Sequence, residues 1–197
     1  MARSPAVFVH QRGLCESDHV GDGTRIWAFA HVMIGARIGR DCNIGDHAFV
    51  ETGAVVGDRV TIKNAVLIWD KVLIEDDVFL GPGVVFTNDL VPRAAVKKTG
   101  DALLPTRIGR GATVGANATI VCGATVGAHA FIAAGSVVVG DVPAHGRMAG
   151  NPARRIGWVC QCGSKLAETF ACACGRRYRL IDDIAGLQTS GGSHSVA

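Results

Sequence analysis

From Val20 onward an aliphatic or aromatic residue returns at every sixth position, twelve times without a slip: Val20, Ile26, Val32, Ile38, Ile44, Val50, Val56, Ile62, Ile68, Ile74, Leu80 and Phe86. The same six-residue spacing runs through Ile108, Val114, Ile120, Val126, Ile132 and Val138. A period of six matches neither the 3.6 of an α-helix nor the 2.0 of a strand. It predicts a solenoid of short strands, and hexapeptide repeats of this kind read as a parallel β-helix. Two positions before each aliphatic residue stands a compact side chain, such as Thr24, Ala30, Cys42, Val60, Ala112 or Ser136. Such residues suit a tight corner beside the aliphatic column. Glycine often follows the aliphatic residue, at 21, 39, 45, 57, 81, 109, 115 and 127. Its expected use is a backbone conformation that other residues resist. No single repeat can bury its apolar face, but stacking makes one continuous core.

The pattern also divides the chain. Residues 1–19 are expected to cap the solenoid, and residues 20–143 to form the β-helix. Residues 87–107 break the period, and a long irregular insertion inside a repeat is usually functional. Residues 144–158 leave the solenoid, residues 159–186 carry four cysteines, and the Gly/Ser-rich residues 187–197 are expected to be a disordered tail.

Composition narrows the partners. Aromatic residues make up only 6%, as expected when stacked Val, Ile and Leu fill a narrow core. The formal net charge is +3, and no basic stripe is interleaved with aromatics. A nucleic-acid partner is therefore not expected, whereas a small polyanion is compatible. No N-terminal apolar stretch reads as a signal peptide, and no run approaches the length of a membrane span. A cytoplasmic protein without a membrane partner is expected, with Cys15, Cys42 and Cys122 as reduced thiols.

Ile44-Gly45-Asp46-His47-Ala48-Phe49 and Val126-Gly127-Ala128-His129-Ala130-Phe131 resemble the repeats of the hexapeptide acyltransferases. That resemblance implies an all-β fold, a left-handed parallel β-helix with three hexads per triangular coil, about six coils and a homotrimer. Gly150-Asn151-Pro152-Ala153-Arg154 resembles the chain exit of many hexapeptide acetyltransferases, where basic residues hold coenzyme A. The resemblance points to Arg147, Arg154 and Arg155, because a guanidinium offers fixed, paired donors to phosphate. It also places the pantothenyl arm in a groove between two solenoids, along the backbone at Ala116 and Ala134.

A narrower resemblance rests on Val78-Phe79-Leu80-Gly81-Pro82, Phe86-Thr87-Asn88-Asp89 and Pro92-Arg93-Ala94, with Ile62-Lys63-Asn64-Ala65 and Ile156-Gly157-Trp158. These are similar to the nucleotide-sugar N-acetyltransferases that act on a 3-amino-3-deoxyhexose. The implied reaction moves acetyl from acetyl-CoA to the 3-amino group, feeding surface polysaccharide synthesis. The leading acceptor is UDP-2-acetamido-3-amino-2,3-dideoxy-glucuronate. The alternatives are a dTDP-3-amino-3,6-dideoxyhexose or a non-catalytic scaffold. Many hexapeptide acetyltransferases use a loop histidine as base toward a hydroxyl, but residues 87–107 contain none. A neutral amine attacks a thioester without that help, which favours an amino acceptor. A γ-type carbonic anhydrase on this fold needs paired histidines five apart, and no two histidines here have that spacing.

On that reading Asn88 orients the sugar and its amine. Asp89 takes a proton or fixes the sugar, and Arg93 meets a carboxylate or a diphosphate. Lys63, Asn64 and Asp70 match family positions near the acceptor. Glu75 is a candidate to reach the sugar. His31 either lines an intersubunit cleft or is a plain surface histidine.

Cys160-Gln161-Cys162-Gly163 and Cys172-Ala173-Cys174-Gly175 resemble the knuckles of a small zinc ribbon. Four thiolates satisfy tetrahedral zinc, and so small a module lacks the core to fold unaided. One residue separates each pair, where ribbons usually have two or more. Disulfides are the competing reading. A zinc held by Cys160, Cys162, Cys172 and Cys174 would be structural, since no coordination position is left for catalysis.

Overall fold

The computed structural model describes residues 6–190. Most of the strands before residue 140 are two residues long, and they stack into sheets of ten, seven and five strands. The first face holds Arg25–Ile26, Asn43–Ile44, Thr61–Ile62, Phe79–Leu80, Thr113–Val114 and Phe131–Ile132. The second runs from His31–Val32 through Phe49–Val50, Leu67–Ile68 and Val85–Phe86 to Val137–Val138. The third holds Arg37–Ile38, Val55–Val56, Val72–Ile74, Thr106–Ile108 and Thr125–Val126. Successive hexads therefore visit successive faces, and a coil closes every three hexads. This is the expected parallel β-helix.

The six-residue spacing gives this shape because each repeat supplies one extended pair and then a turn. The second residue of the pair points inward. Ile26, Ile44, Ile62, Leu80, Val114 and Ile132 stack in register, each fully buried. The compact residue of the hexad is buried too: Thr24, Ala30, Ala118 and Ser136 are each at most 1% exposed. Three residues after the inward aliphatic the backbone turns left-handed, with φ of 58° at Phe29 and 59° at His47.

The glycines have a different purpose from the expected one. Those that follow the aliphatic residue are not among the positive-φ residues. A Cβ at Gly39 would lie 2.6 Å from the carbonyl carbon of Gly57, and one at Gly115 would lie 2.5 Å from the nitrogen of Ala134. These positions are where one coil rests on the next, and only a hydrogen fits.

The three columns of corners differ in this respect. After the third face the column reads Gly21, Gly39, Gly57, Glu75, Gly109 and Gly127. After the first face it reads Trp27, Gly45, Lys63, Gly81, Gly115 and Ala133. After the second face it reads Met33, Glu51, Trp69, Thr87, Val121 and Val139, with no glycine. The insertion leaves the solenoid at this glycine-free corner. Ile74 pairs directly with Ile108, so the intervening extra residues are looped out without a register shift. Thr106 and Arg107, expected in the loop, already belong to a strand, and Thr106 is buried.

Both ends also differ from expectation. The cap segment is itself a partial coil: Phe8–Val9 and Leu14–Cys15 pair in parallel with Arg25–Ile26 and His31–Val32. At the other end Gly146–Gly150 extends the first face, and Asn151–Pro152 turns the chain back into the antiparallel Ala153–Val159. Residues 187–189, expected in the tail, form part of the strand Gly186–Thr189, paired with Tyr178–Asp182. They are ordered because Leu187 is buried in a small cluster with Tyr178 and Cys160. Residues 191–197 of the expected tail lie outside the described residues. Among the described residues no helix is long and apolar enough to cross a membrane.

Candidate active site

Residues 87–105 fold back over the glycine-free corner and wall an open cleft of about 640 Å³. Glu51 and Asp70 line it from the coils, and Asn88, Asp89, Arg93, Lys97 and Lys98 from the loop. The corner beneath is firm. Trp69 Nε1 donates to the Phe86 carbonyl (2.8 Å), and the Cys122 N–H donates to Thr87 Oγ1 (3.0 Å). The Asp70 N–H donates to Glu51 Oε2 (2.8 Å).

Lysines hold the loop itself. Lys71 reaches up from the coil to the carbonyls of Gly100 (2.5 Å) and Leu103 (3.5 Å), pinning the short 3₁₀ turn Gly100–Ala102. Lys98 Nζ donates to Asp89 Oδ1 (2.5 Å) and to the Val91 carbonyl (3.0 Å). The Leu104 N–H donates to the Asn88 carbonyl (3.3 Å), closing the base of the loop.

The charges in the cavity divide by whether they are already partnered. Lys98 and the Val91 N–H both bind Asp89, and the ammonium beside it holds its carboxyl below the ordinary range. A carboxylate stabilised as an anion is a poor proton acceptor. In this arrangement the Asp89 carboxylate is tied to Lys98 and the Val91 N–H, which disfavours proton uptake at that oxygen. Among the described residues no cation pairs with the Asp70 carboxylate. Arg93 donates only to the Pro92 carbonyl (2.9 Å). The cavity thus offers two carboxylates without cation partners, Glu51 and Asp70, one amide, and two cations, Arg93 and Lys97, without carboxylate partners, all among the described residues. Among the described residues no histidine lines it.

Of the residues expected at the acceptor site, Asn88, Asp89, Arg93 and Asp70 come together here, and the others do not. Lys63 and Asn64 lie at the corner between the first and second faces, as do Ala116 and Ala134. Glu75 lies between the third and first faces, bound by Arg107 and by the Arg110 N–H (2.8 Å). Partial burial raises its pKa, but these partners outweigh burial and hold it low. Glu75 is a tie between coils, and it is not among the residues lining the loop-walled cavity. His31 stands on the outer surface of the second face, 2.9 Å from Glu16 and edge-on to Phe49.

Among the exit arginines, Arg154 borders a groove of about 140 Å³ with Val138, Val139, Asp141 and Met148. Arg147 lies on the outer surface of the first face, its backbone paired to Phe131. Arg155 is occupied: it donates to Asp183 (2.7 Å) and lies 4.3 Å from the Trp158 ring centre. Phosphate binding by Arg155, expected from the sequence, would have to displace both contacts. The four C-terminal cysteines do converge, their sulfurs all within 4.8 Å of one another.

Glu51, Lys97 and Lys98 were missed by sequence reasoning. Lys97 and Lys98 are adjacent cations inside the insertion. The available signal for Glu51 was its place in the one corner column that lacks glycine.

Two hexapeptide families match the repeats: "Bacterial transferase hexapeptide (six repeats)" at residues 105–140 and "Hexapeptide repeat of succinyl-transferase" at residues 32–68. A dTDP-3-amino-3,6-dideoxy-alpha-D-galactopyranose 3-N-acetyltransferase of Aneurinibacillus thermoaerophilus is 48% identical over 184 residues, covering 92% of this chain and 95% of the relative. Among solved structures, the acetyltransferase domain of PglB from Neisseria gonorrhoeae matches with a TM-score of 0.53 and 23% identity. That match covers 78% of this chain and 58% of the other, and it supports the fold alone. A β-helix with a loop-built cavity, together with 48% identity over nearly the whole of both chains to a sugar N-acetyltransferase, establishes that the chain belongs to the hexapeptide-repeat sugar N-acetyltransferases.

Proposed function

We propose that the chain acetylates the 3-amino group of a nucleotide-linked 3-amino-3-deoxyhexose, using acetyl-CoA. The carrying observation is the loop-covered cleft at the glycine-free corner, which among the described residues holds carboxylates and cations without salt-bridge partners and no histidine. An amine acceptor suits such a site. The Asp70 carboxylate attracts the substrate ammonium, and Asn88 aligns it. The ammonium first gives one proton to solvent; the neutral amine then attacks the thioester carbonyl carbon, the C–N bond forms, the C–S bond breaks, and the departing coenzyme A thiolate takes the second proton that the nitrogen sheds. Arg93 and Lys97 face the diphosphate.

For the sugar, the 48%-identical relative shifts the preference from the UDP-uronic acid to the dTDP-3-amino-3,6-dideoxyhexose, the alternative drawn from the sequence. The acetyl donor enters along Ala116 and Ala134, with Arg147 and Arg154 toward its phosphates.

Those residues and the loop lie at different corners of one chain, so the two half-sites meet only if copies associate. The second face offers the contact, because Leu14, Leu67 and Val85 expose apolar side chains in one outward column. A homotrimer with sites between subunits follows from this reading.

Thiol release from acetyl-CoA tests the proposal, using dTDP- and UDP-linked 3-amino sugars with 4-amino sugars as controls. Selective turnover of the dTDP-3-amino compound is expected. Preference for the UDP-uronic acid would restore the first reading of the sugar. Turnover of a 4-amino sugar alone would overturn the 3-amino assignment.

A further inference from the structure

We propose that Cys160, Cys162, Cys172 and Cys174 hold one zinc ion as a tetrathiolate, and that this ion locks the C-terminal module onto the last coil. The site is separate from the sugar cavity and independent of the proposed reaction.

The first argument is distance. Cys160 Sγ lies 3.6 Å from Cys174 Sγ, and Cys162 Sγ lies 3.6 Å from Cys172 Sγ. Zinc–thiolate bonds of 2.3 Å at tetrahedral angles put sulfurs about 3.8 Å apart. A disulfide would need about 2.05 Å, and all four cysteines are free. Without an ion, only weak thiol contacts would hold sulfurs gathered at this spacing.

The second argument is that the surrounding loop is built twice. The Gly163 N–H donates to the Cys160 carbonyl (2.8 Å), and the Cys160 N–H to the Ser164 carbonyl (2.8 Å). Twelve residues on, the Gly175 N–H donates to the Cys172 carbonyl (2.9 Å), and the Cys172 N–H to the Arg176 carbonyl (2.9 Å). Gly163 and Gly175 share a φ of 90°, a conformation that favours glycine. This curl brings the first and third residue of each knuckle to the same point. It explains how a spacing of one residue replaces the usual two.

The third argument is the charge around the sulfurs. Zinc with four thiolates carries a net charge of −2. Arg176 Nη1 sits 3.3 Å from Cys174 Sγ. Tyr178 Oη lies 3.1 Å from Cys160 Sγ and accepts from the Gln161 N–H (3.0 Å), which leaves its own hydrogen for the sulfur. Such outer donors orient ligands and stabilise thiolates.

The module is tied to the solenoid through the same residues. The Tyr178 ring packs on His145 at 4.7 Å, and His145 on His129 at 5.1 Å. The Ala144 N–H donates to Ala185 O, and the Leu187 N–H donates to Ala144 O. Among the described residues only Cys160, Tyr178 and Leu187 form its buried core, too little apolar surface to fold alone. Metal binding supplies the missing stability.

The test uses the full chain, purified without chelator. One equivalent of zinc per chain is expected by elemental analysis. Chelation and refilling with cobalt(II) should give the visible bands of a tetrahedral site and thiolate-to-metal charge transfer. Amide exchange should rise across 159–190 when zinc is removed, while residues 20–142 stay protected. The double variant Cys172→Ser/Cys174→Ser should lose the metal. If that variant does not fold, the wild-type cobalt spectrum and thiol count still decide. Chelated, denatured but unreduced protein should alkylate at all seven cysteines. Fewer than seven would overturn the proposal in favour of disulfides. Failure to take up zinc, iron in its place, or metal retained by the variant would each overturn it too.

Discussion

Two corners of the same solenoid solve opposite problems. The corner between the third and first faces is lined by glycine and stitched by charge. The Arg40 N–H donates to Asp58 (2.8 Å), the Asp58 N–H to Asp76 (3.0 Å), and Arg59 binds Asp77 (2.7 Å). At its end the column passes through His129 and His145 to the cysteine module. The corner between the second and third faces carries Met33, Glu51, Trp69 and Thr87 where the other carries mostly glycine, and it supports the loop. One corner gives up side chains so that coils can touch, and the other keeps side chains that line the loop-walled cleft.

The largest expected effect breaks the tight corner. Gly39→Val places a Cβ 2.6 Å from the next coil's backbone. A loss above about 4 kcal/mol is expected, read as lost soluble yield or a collapsed thermal transition. Met33→Gly at the open corner should cost only about 1 kcal/mol. Equal losses in the two variants would dissolve the contrast.

Next in size is the end of the tight corner. Burial holds His145 down to about 4, and its Nδ1 lies 2.9 Å from the Val159 carbonyl, so Nδ1 carries the proton of the neutral ring. Its neighbours are His129, whose own pKa is lowered chiefly by burial, and Tyr178. The unfolded chain binds a proton below pH 6.5 and the folded chain does not until about pH 4. His145 should therefore reduce stability as pH falls through that window, by at most roughly 3 kcal/mol. Chemical denaturation of wild type against His145→Gln, from pH 7 to 4, isolates this slope. Parallel curves would remove His145 as the cause.

The open corner should respond in rate and not in stability. Asn88→Ala is expected to cut turnover roughly 10²-fold through lost alignment, with an unchanged melting temperature. Asp89→Asn should act on the loop, raising KM for the nucleotide sugar more than it lowers kcat. A pure kcat loss with Asp89→Asn would return that residue to proton transfer.

The architecture was readable because every hexad repeats the same instruction, so errors in single positions do not accumulate. Register, core column and insertion site all followed from Val20 to Val138. The reason for the glycines was misread because sequence shows a residue but not the coil above it. Gly115 is needed because of the backbone at Ala134, a neighbour three hexads away. Asn88, Asp89 and Arg93 were legible because they sit inside the insertion. Glu75 and Asp70 looked alike as carboxylates near a corner. Which corner each occupies, and whether arginines reach it, depends on counting hexads in threes. Arg155 was read for its charge, but Asp183, which claims that charge, lies in a module whose docking no repeat foretold.

Ile74 meets Ile108 as though nothing lay between them. A chain that can loop out residues 87–105 while Ile74 and Ile108 keep their pairing carries its candidate site as a replaceable cartridge. Exchanging that segment between relatives should retune which sugar is taken while the coils beneath go on stacking as before.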